Sequence, residues 1–170
     1  MFTATVPDAD GTLLSKDFND LLDPNNNTVT INKGSVVTGT IEGGRSKNSN
    51  VEVKGNRVHI NGGEVGGTIS GGTSDLGTAT NNSVTVSGGK MDSAVFGGYG
   101  GSDATGNSVI INGGTMGGFV CGGMCFSNAM GNSVTINGGT VLVHQRQPPC
   151  RWNPQQFWHV RYAAECPHGL

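Results

Sequence analysis

Four cysteines and three histidines in the C-terminal part of the sequence are the residues best suited to bind a metal ion, because thiolate and imidazole are the usual ligands of zinc. Their spacing argues against such a site, since no arrangement of the set matches a known zinc-ligand pattern. We therefore expect no metal and no cofactor. A disulfide between Cys121 and Cys125, across the glycine pair 122–123, is compatible with the sequence but not required by it. The set comprises Cys121, Cys125, Cys150, Cys166, His144, His159 and His168.

A glycine-rich stretch, GGYGGSDAT at 97–105, is similar to the glycine nonapeptide repeats that bind calcium. It lacks the repeated unit on which such a site depends. Asp75, Asp103 and Asn128 fall at only approximately equivalent positions of the chain. We expect these side chains to be solvated turn residues and not calcium ligands.

Acidic residues could cleave a polysaccharide if two carboxylates stood close together as acid and base. No two of them recur at the spacing of the sequence repeat described below, so the sequence indicates no such pair. His59 is a lone residue on the surface of a predicted strand. We therefore expect a protein without enzymatic activity. The acidic residues considered are Glu42, Glu52, Glu64, Asp75, Asp92 and Asp103.

The composition excludes several classes of protein. Glycine accounts for 30 of the 170 residues, whereas charged residues amount to 13% and aromatic residues to 6%, and so large apolar side chains are too few for a compact core. A net charge of -2 leaves no basic surface for nucleic acid. No apolar run is long enough to span a membrane, and the N-terminus, with Asp8 and Asp10, does not resemble a signal peptide.

A short phrase, NSVTINGGTV at 132–141, occurs in five related copies whose leading asparagines stand 29, 26, 25 and 25 residues apart. A repeat of this length is typical of a solenoid. Within each copy apolar residues alternate with others, which predicts a strand with one buried face. The apolar positions are Val29, Ile31, Val58, Ile60, Val84, Val86, Val109, Ile111, Val134 and Ile136, and the leading asparagines are Asn27, Asn56, Asn82, Asn107 and Asn132.

A glycine pair follows this strand in most copies and predicts a sharp corner or a positive φ. One apolar residue comes next, and then a second short strand that ends at another glycine pair. The single apolar residues are Val36, Val65, Met91, Met116 and Val141; the second strands centre on Ile41, Ile69, Val95 and Val120; their glycine pairs lie at 43–44, 71–72, 97–98 and 122–123.

Two or three short strands per repeat, joined by glycine corners, predict an all-β fold: a parallel β-helix, or β-solenoid, of about five coils of about 25 residues. Successive coils would stack about 4.8 Å apart. Stacking places the Val/Ile ladder inside and the asparagine ladder at a corner, where amides can hydrogen-bond along the stack. An antiparallel β-prism or a propeller-like repeat is the alternative.

The chain divides into an N-terminal cap segment at 1–26, β-solenoid repeats at 27–142 and a non-repeat tail at 143–170. Within the cap segment, TLLSKDFNDLL at 12–22 has apolar residues at helical spacing and predicts a short capping helix. The tail holds both tryptophans. Because a shift of one nucleotide turns a tryptophan codon into a glycine codon, we interpret the tail as an out-of-frame continuation of the repeat. An incomplete last coil leaves an uncovered edge, where we expect self-association.

The stretch NSVIINGGTMGGFVCGG at 107–123, and in part the stretch at 82–98, resembles the degenerate repeats in the passenger regions of bacterial autotransporters and other large surface adhesins. The resemblance extends over 27–142. It implies an extracellular β-helical stalk or adhesin, located at the cell surface or secreted as part of a longer parent protein.

We therefore expect a non-enzymatic structural fragment of a repetitive surface protein, with outer loops that contact host glycans or proteins. The alternative is a polysaccharide-processing β-helix whose catalytic coils lie outside this sequence. A shallow groove lined by aromatic residues such as Phe96 and Tyr99 would favour that alternative. A third interpretation is an orphan gene fragment without a function.

Overall fold

The computed structural model describes residues 3–6 and 23–142, and the regular secondary structure in these ranges consists of β-strands. In chain order the strands are β1 (Thr3–Val6), β2 (Thr28–Ile31), β3 (Val36–Val37), β4 (Ile41–Glu42), β5 (Arg45–Ser46), β6 (Val53–Lys54), β7 (Arg57–Ile60), β8 (Glu64–Val65), β9 (Ile69–Ser70), β10 (Thr73–Ser74), β11 (Ala79–Thr80), β12 (Ser83–Val86), β13 (Lys90–Met91), β14 (Val95–Gly100), β15 (Ala104–Thr105), β16 (Ser108–Ile111), β17 (Thr115–Met116), β18 (Val120–Cys125), β19 (Ala129–Met130), β20 (Ser133–Ile136) and β21 (Thr140–Val141).

In each turn the chain passes through four sheets in order and contributes strand residues to each sheet before it returns to the first. Sheet 1 has the order β1-β2-β7-β12-β16-β20, and sheet 2 has the order β21-β17-β13-β8-β3. Sheet 3 contains β4, β9, β14 and β18, with β10 on the second half of β14 and β5 on β10, and sheet 4 has the order β19-β15-β11-β6. The strand pairs described for this chain are all parallel.

This arrangement is a parallel β-solenoid, which confirms the fold predicted from the repeat, and the parallel pairing excludes the antiparallel alternative. The repeats form about four turns, after which β20 and β21 begin another. The sequence predicted about five coils with two or three strands in each. The structure has a further strand in each turn because the polar segment after the second glycine pair also pairs with its neighbours, as sheet 4.

The interior of the solenoid is a stack of aliphatic side chains and methionines. Like side chains lie on like in adjacent turns, because every pair keeps the register of the repeat. Burial of one such valine or isoleucine contributes about 1.5–3 kcal/mol, and one turn alone could not bury its own apolar face. In the predicted Val/Ile ladder, Val29 and Ile136 are partly buried and the other members are buried.

The extra residues of the first two turns lie in connections and not in strands. The connection between β5 and β6 covers 47–52, whereas the connection between β14 and β15 covers only 101–103. One further residue enters the first corner, so that Val37 pairs with Val65. The sequence pattern aligned Val36 with Val65, but Val36 pairs with Glu64 and is exposed, and Val37 is the buried equivalent.

Sheet 1 extends beyond the predicted repeats at its N-terminal edge. Strand β1 pairs in parallel with β2, with Thr3 beside Thr28 and Val6 beside Ile31. Its sequence, TATV, alternates as TVTI does in β2, so the segment assigned to a cap contributes a strand to the solenoid. The helix predicted at 12–22 and the tail at 143–170 lie outside the described residues.

Left-handed backbone conformations recur at two corners of each turn. One is the residue before each ladder asparagine, which is always asparagine or glycine, the residue types that tolerate a positive φ best. The other is a glycine after sheet 1, with φ between 82 and 91°, as the glycine pattern predicted. The first set is Asn26, Gly55, Asn81, Gly106 and Gly131; the second is Gly34, Gly63, Gly89, Gly114 and Gly139.

Ile110 and Ile111 provide a test of the interior stack, because they are adjacent residues of one type on opposite faces of β16. Ile111 is fully buried, and its replacement by alanine should lower the free energy of unfolding by about 2–5 kcal/mol through lost burial and a cavity. The matched variant Ile110→Ala on the outer face should cost less than about 1 kcal/mol. Urea unfolding followed by circular dichroism measures both, and equal losses would contradict the assignment of the two faces.

Candidate functional site

The predicted ladder asparagines form a continuous column of hydrogen bonds at the corner between sheets 4 and 1. Asn82 is fully buried and uses its whole amide. Its Nδ2 donates to the backbone oxygen of Val53 at 2.9 Å and to Oδ1 of Asn107 at 3.1 Å. Its Oδ1 accepts from the backbone N–H and from Nδ2 of Asn56, both at 3.0 Å. A buried amide is tolerated here because each of its polar atoms has a partner.

The other rungs of the column repeat this pattern. Asn107 Nδ2 donates to Oδ1 of Asn132 at 3.0 Å. At the first rung, Asn27 donates its backbone N–H to Oδ1 of Asn56 at 2.9 Å, and its Nδ2 donates to the backbone oxygen of Asp23 at 3.0 Å. The structure therefore brings the predicted asparagines together. Because protein atoms occupy the amides of the inner rungs, the column is an internal support and not a ligand site.

The second glycine pair of each turn lies against this column from sheet 3. A Cβ on Gly98 would lie 2.4 Å from Oδ1 of Asn107, and one on Gly72 would lie 2.5 Å from Oδ1 of Asn82. No side chain fits between the strand and the amides, and so these positions require glycine. The sequence predicted that the second strands end at their glycine pairs. In the structure, β14 and β18 instead continue through these pairs.

Replacement of Asn82 by alanine should lower the free energy of unfolding by about 3 kcal/mol or more, because several buried groups lose their partners and each costs about 1–3 kcal/mol. Asn61→Ala is the matched control. Asn61 is exposed, and its Nδ2 donates at 3.1 Å to Oδ1 of Asn32, so that its loss should cost less than about 1 kcal/mol. Thermal unfolding of the two variants tests this. An Asn82→Ala protein as stable as the control would contradict the proposal that the column stabilises the solenoid.

Gly98→Ala should destabilise the solenoid although alanine adds only a methyl group, because that methyl group meets the Asn107 amide. Gly66→Ala is the control. A Cβ on Gly66 has its nearest neighbour, the backbone oxygen of Thr38, at 3.7 Å, so that alanine should be neutral or slightly stabilising there. The urea midpoints of both variants decide the matter, and equal midpoints would show that sheet 3 can move away from the column.

The outer face of sheet 3 carries two rows of side chains along the solenoid axis, one on each side of the glycine pairs. Both rows are polar in the first two turns and mostly apolar in the next two. We call this surface the sheet 3 face. One row is Glu42, Ser70, Phe96 and Cys121, and the other is Arg45, Thr73, Tyr99 and Met124.

At the polar end of the sheet 3 face, Arg45 binds two carboxylates. Its Nη2 lies 3.0 and 2.9 Å from the two carboxylate oxygens of Asp75 in the next turn, and its Nη1 lies 3.3 Å from both carboxylate oxygens of Glu42. The hydrogen bond to Asp75, aided by both negative charges, raises the pKa of Arg45 above its ordinary value. Carboxylates of adjacent turns therefore do meet, but through a guanidinium that bridges them.

At the apolar end of the sheet 3 face, four aromatic rings join in a chain. The ring centroid of Phe96 lies 5.3 Å from that of Phe119 and 6.3 Å from that of Tyr99, and the Tyr99 centroid lies 6.2 Å from that of Phe126. The ring planes meet at 66–87°, the edge-to-face arrangement that aromatic pairs favour. Phe96 is buried, whereas Phe119 is 37% and Phe126 68% exposed. These four are all the aromatic residues between positions 23 and 142.

The described cysteines belong to separate clusters. Cys121 packs with Phe96, whereas Cys125 packs with Ala104 and Ala129. Residues 23–142 contain no group of three or more His, Cys, Asp or Glu side chains that could hold a metal ion. The remaining metal candidates lie outside the described residues; they are His144, Cys150, His159, Cys166 and His168.

The residues considered for calcium have protein partners. Asn128 donates its backbone N–H and its Nδ2 to Oδ1 of Asp103 in the preceding turn, at 3.0 and 3.3 Å. Asp75 binds Arg45 instead. The carboxylates of Asp75 and Asp103 therefore support neighbouring turns and do not converge on one point. His59 lies elsewhere, on the outer row of sheet 1, in a strand between β2 and β12.

A shallow depression of about 250 Å³ lies on sheet 2. Two carboxylates of adjacent turns line it, but Asp92 is paired with Lys90 at 2.8 Å. No aromatic residue contributes to its walls, so it does not match a groove that holds a sugar chain. Its lining is Val36, Val37, Thr38, Glu64, Gly66 and Asp92.

Sequence reasoning named Phe96 and Tyr99 but missed Phe119, Phe126 and Arg45. The spacing of 25 residues between β14 and β18 could have placed the two phenylalanines, since Val95 pairs with Val120. No such signal exists for Arg45. Its partner Asp75 lies 30 residues away, a separation that depends on the extra residues of the first turn and differs from the repeat.

Comparison with known proteins gives no family for this chain. The sequence matches no protein-family model, and searches of curated proteins and of solved structures find no match. Among the described residues no helix could cross a membrane.

Proposed function

We propose that this chain is a non-enzymatic part of a repetitive bacterial protein, displayed at the cell surface or secreted, and that its solenoid is a stiff stalk of the adhesin-passenger type. The observation that carries the proposal is the amide column, which joins every repeat from Asn27 to Asn132. Each added turn lengthens such a stalk by about 4.8 Å. The resemblance of 82–98 and 107–123 to passenger repeats supports the same proposal.

The connections between strands are where such a stalk presents variable contacts to glycans or proteins. The connection at 47–52 is twice as long as the one at 101–103, while the strands on either side keep their register. Loops that vary on a constant scaffold are the usual carriers of recognition. Self-association through β20 and β21, the last strands of sheets 1 and 2 in the described range, remains part of the proposal, and sedimentation velocity over a concentration series tests it.

Surface display is tested with an antiserum raised against residues 23–142. Intact cells of the source organism should be labelled, and external protease should remove the label while a cytoplasmic marker protein stays intact. Labelling that appears only after lysis would contradict display at the surface. Detection in cell-free medium would support the secreted form of the proposal.

One observation favours polysaccharide processing as a second candidate. Glu42 and Asp75 come from adjacent turns and lie on the same face as Phe96 and Tyr99. Against it, Arg45 binds both carboxylates, whereas glycoside hydrolysis requires a separated carboxylic acid and carboxylate that act on opposite sides of the bond. The arrangement is an ion-pair bridge, which does not favour catalysis by these two carboxylates.

The two candidates differ in whether a product forms. The full chain, incubated with soluble neutral and acidic polysaccharides, should release no new reducing ends above a heat-denatured control. Should reducing ends form, Glu42→Gln and Asp75→Asn would be assayed next. Loss of product in both variants, with unchanged thermal unfolding, would replace the stalk proposal with the enzymatic one.

A further inference from the structure

The four aromatic rings of the sheet 3 face are not needed for the interior of the solenoid. The main interior cluster is made of Val, Ile and Met side chains from all turns. Phe96 belongs to a separate cluster with Ala94 and Cys121, and the other three rings join it through the chain of ring contacts. Phe119 and Phe126 remain substantially exposed. Exposed apolar groups gathered at one place on a protein of such polar composition mark a surface that contacts something else.

We propose that the sheet 3 face binds an uncharged oligosaccharide. The inference rests on the proposed function as a displayed adhesin and names the partner chemistry of one surface. A pyranose ring has an apolar C–H side that packs on an aromatic ring and a rim of hydroxyls that needs hydrogen-bonding groups. The sheet 3 face has both parts, because Tyr99 and Arg45, which are both partly exposed, stand in one row with the buried Thr73 between them.

The polar end of the face is held in place before any ligand arrives. Arg45 is fixed by two hydrogen bonds to Asp75 and two to Glu42, so little conformational entropy remains to be lost on binding. Turns are spaced about 4.8 Å apart, close to the length of one sugar unit. An extended chain along the solenoid axis would meet Tyr99 in one turn and Arg45 two turns away, and it would pass over Thr73, which is buried.

Charge favours an uncharged ligand over an anionic one. The charged groups of this face are Glu42, Arg45 and Asp75, and the single cation already binds both carboxylates. Neither row of the face contains another lysine or arginine. A sulfate, phosphate or carboxylate group would therefore meet net negative charge, whereas sugar hydroxyls can donate to the carboxylates.

The size of the apolar end argues against a second protein chain as the partner. The four rings come from two turns, which span about 10 Å along the axis. A stable protein interface buries about 800 Å² on each partner, far more than a patch of this width supplies. A short run of sugar units fits the same patch.

Affinity electrophoresis of the full chain tests the inference. Native gels would contain galactomannan, xyloglucan, soluble starch or, as the acidic comparison, polygalacturonate. At least one neutral polysaccharide should retard the chain. Tyr99→Ala and Phe126→Ala should weaken that retardation about tenfold, since each removes a stacking ring, and Tyr99→Phe should keep most of it. Val36→Ala, which shortens an exposed apolar side chain on sheet 2, should change it less than about twofold.

Retardation by none of the neutral polysaccharides, or by polygalacturonate alone, would overturn the inference. So would equal effects of Tyr99→Ala and Val36→Ala when urea midpoints show both variants folded. Self-association of the full chain that Phe126→Ala weakens in sedimentation velocity would assign the face to a second copy instead. Surface labelling by the antiserum does not depend on these residues, so loss of sugar binding with labelling intact overturns this inference and leaves the stalk proposal standing.

Discussion

The hydrogen bond from Asn82 Nδ2 to Oδ1 of Asn107, 3.1 Å long, is the interaction on which the rest of the solenoid depends. It joins equivalent residues of adjacent turns, so it forms only when the turns stack in register. An amide buried without a partner would cost more than the bond itself contributes. The column therefore penalises any slip between turns.

The column also dictates which residues stand around it. The residue before each asparagine must adopt a left-handed conformation, and so it is always glycine or another asparagine. Sheet 3 approaches the amides so closely that Gly72 and Gly98 leave no space for a Cβ. Much of the high glycine content thus follows from one buried amide per turn. The repeat is long because three features must recur together: the asparagine, the left-handed residue before it and the glycines of sheet 3 that face its amide.

The residue types accepted in the interior of the solenoid and on its outer faces are limited by different constraints. Inside, each position stacks on its own equivalents, so Val, Ile and Met recur and aromatic rings are excluded from the main cluster. On the outer face of sheet 3 no such constraint applies, and the rows change from Glu42 and Arg45 to Phe96 and Tyr99 within two turns. The residues that stabilise the interior are therefore separate from those of the outer rows, which allows the outer rows to vary without loss of the fold.

The sequence by itself determined the parallel solenoid, the inward strand positions of sheet 1 and the glycine corners. These are local, periodic properties: alternation of two marks the strand, and recurrence every 25 to 29 residues marks the turn. The same periodicity aligned Val36 with Val65, whereas one extra residue in the first corner makes Val37 the residue that pairs with Val65. It also missed sheet 4, whose short strands are polar on both sides of Ala79 and Ala104 and carry no alternation to read.

Only the tertiary structure decided what the outer surface carries. Arg45 reaches Asp75 across 30 residues, a pairing set by how the longer first turn folds and not by the repeat. The rings of Phe119 and Phe126 meet Phe96 and Tyr99 from the next turn, and their mutual angles follow from packing alone. Contacts within one strand can be read from neighbouring letters, but contacts between turns depend on the register. The register, in turn, is fixed by the column of amides that forms only when the turns have come together.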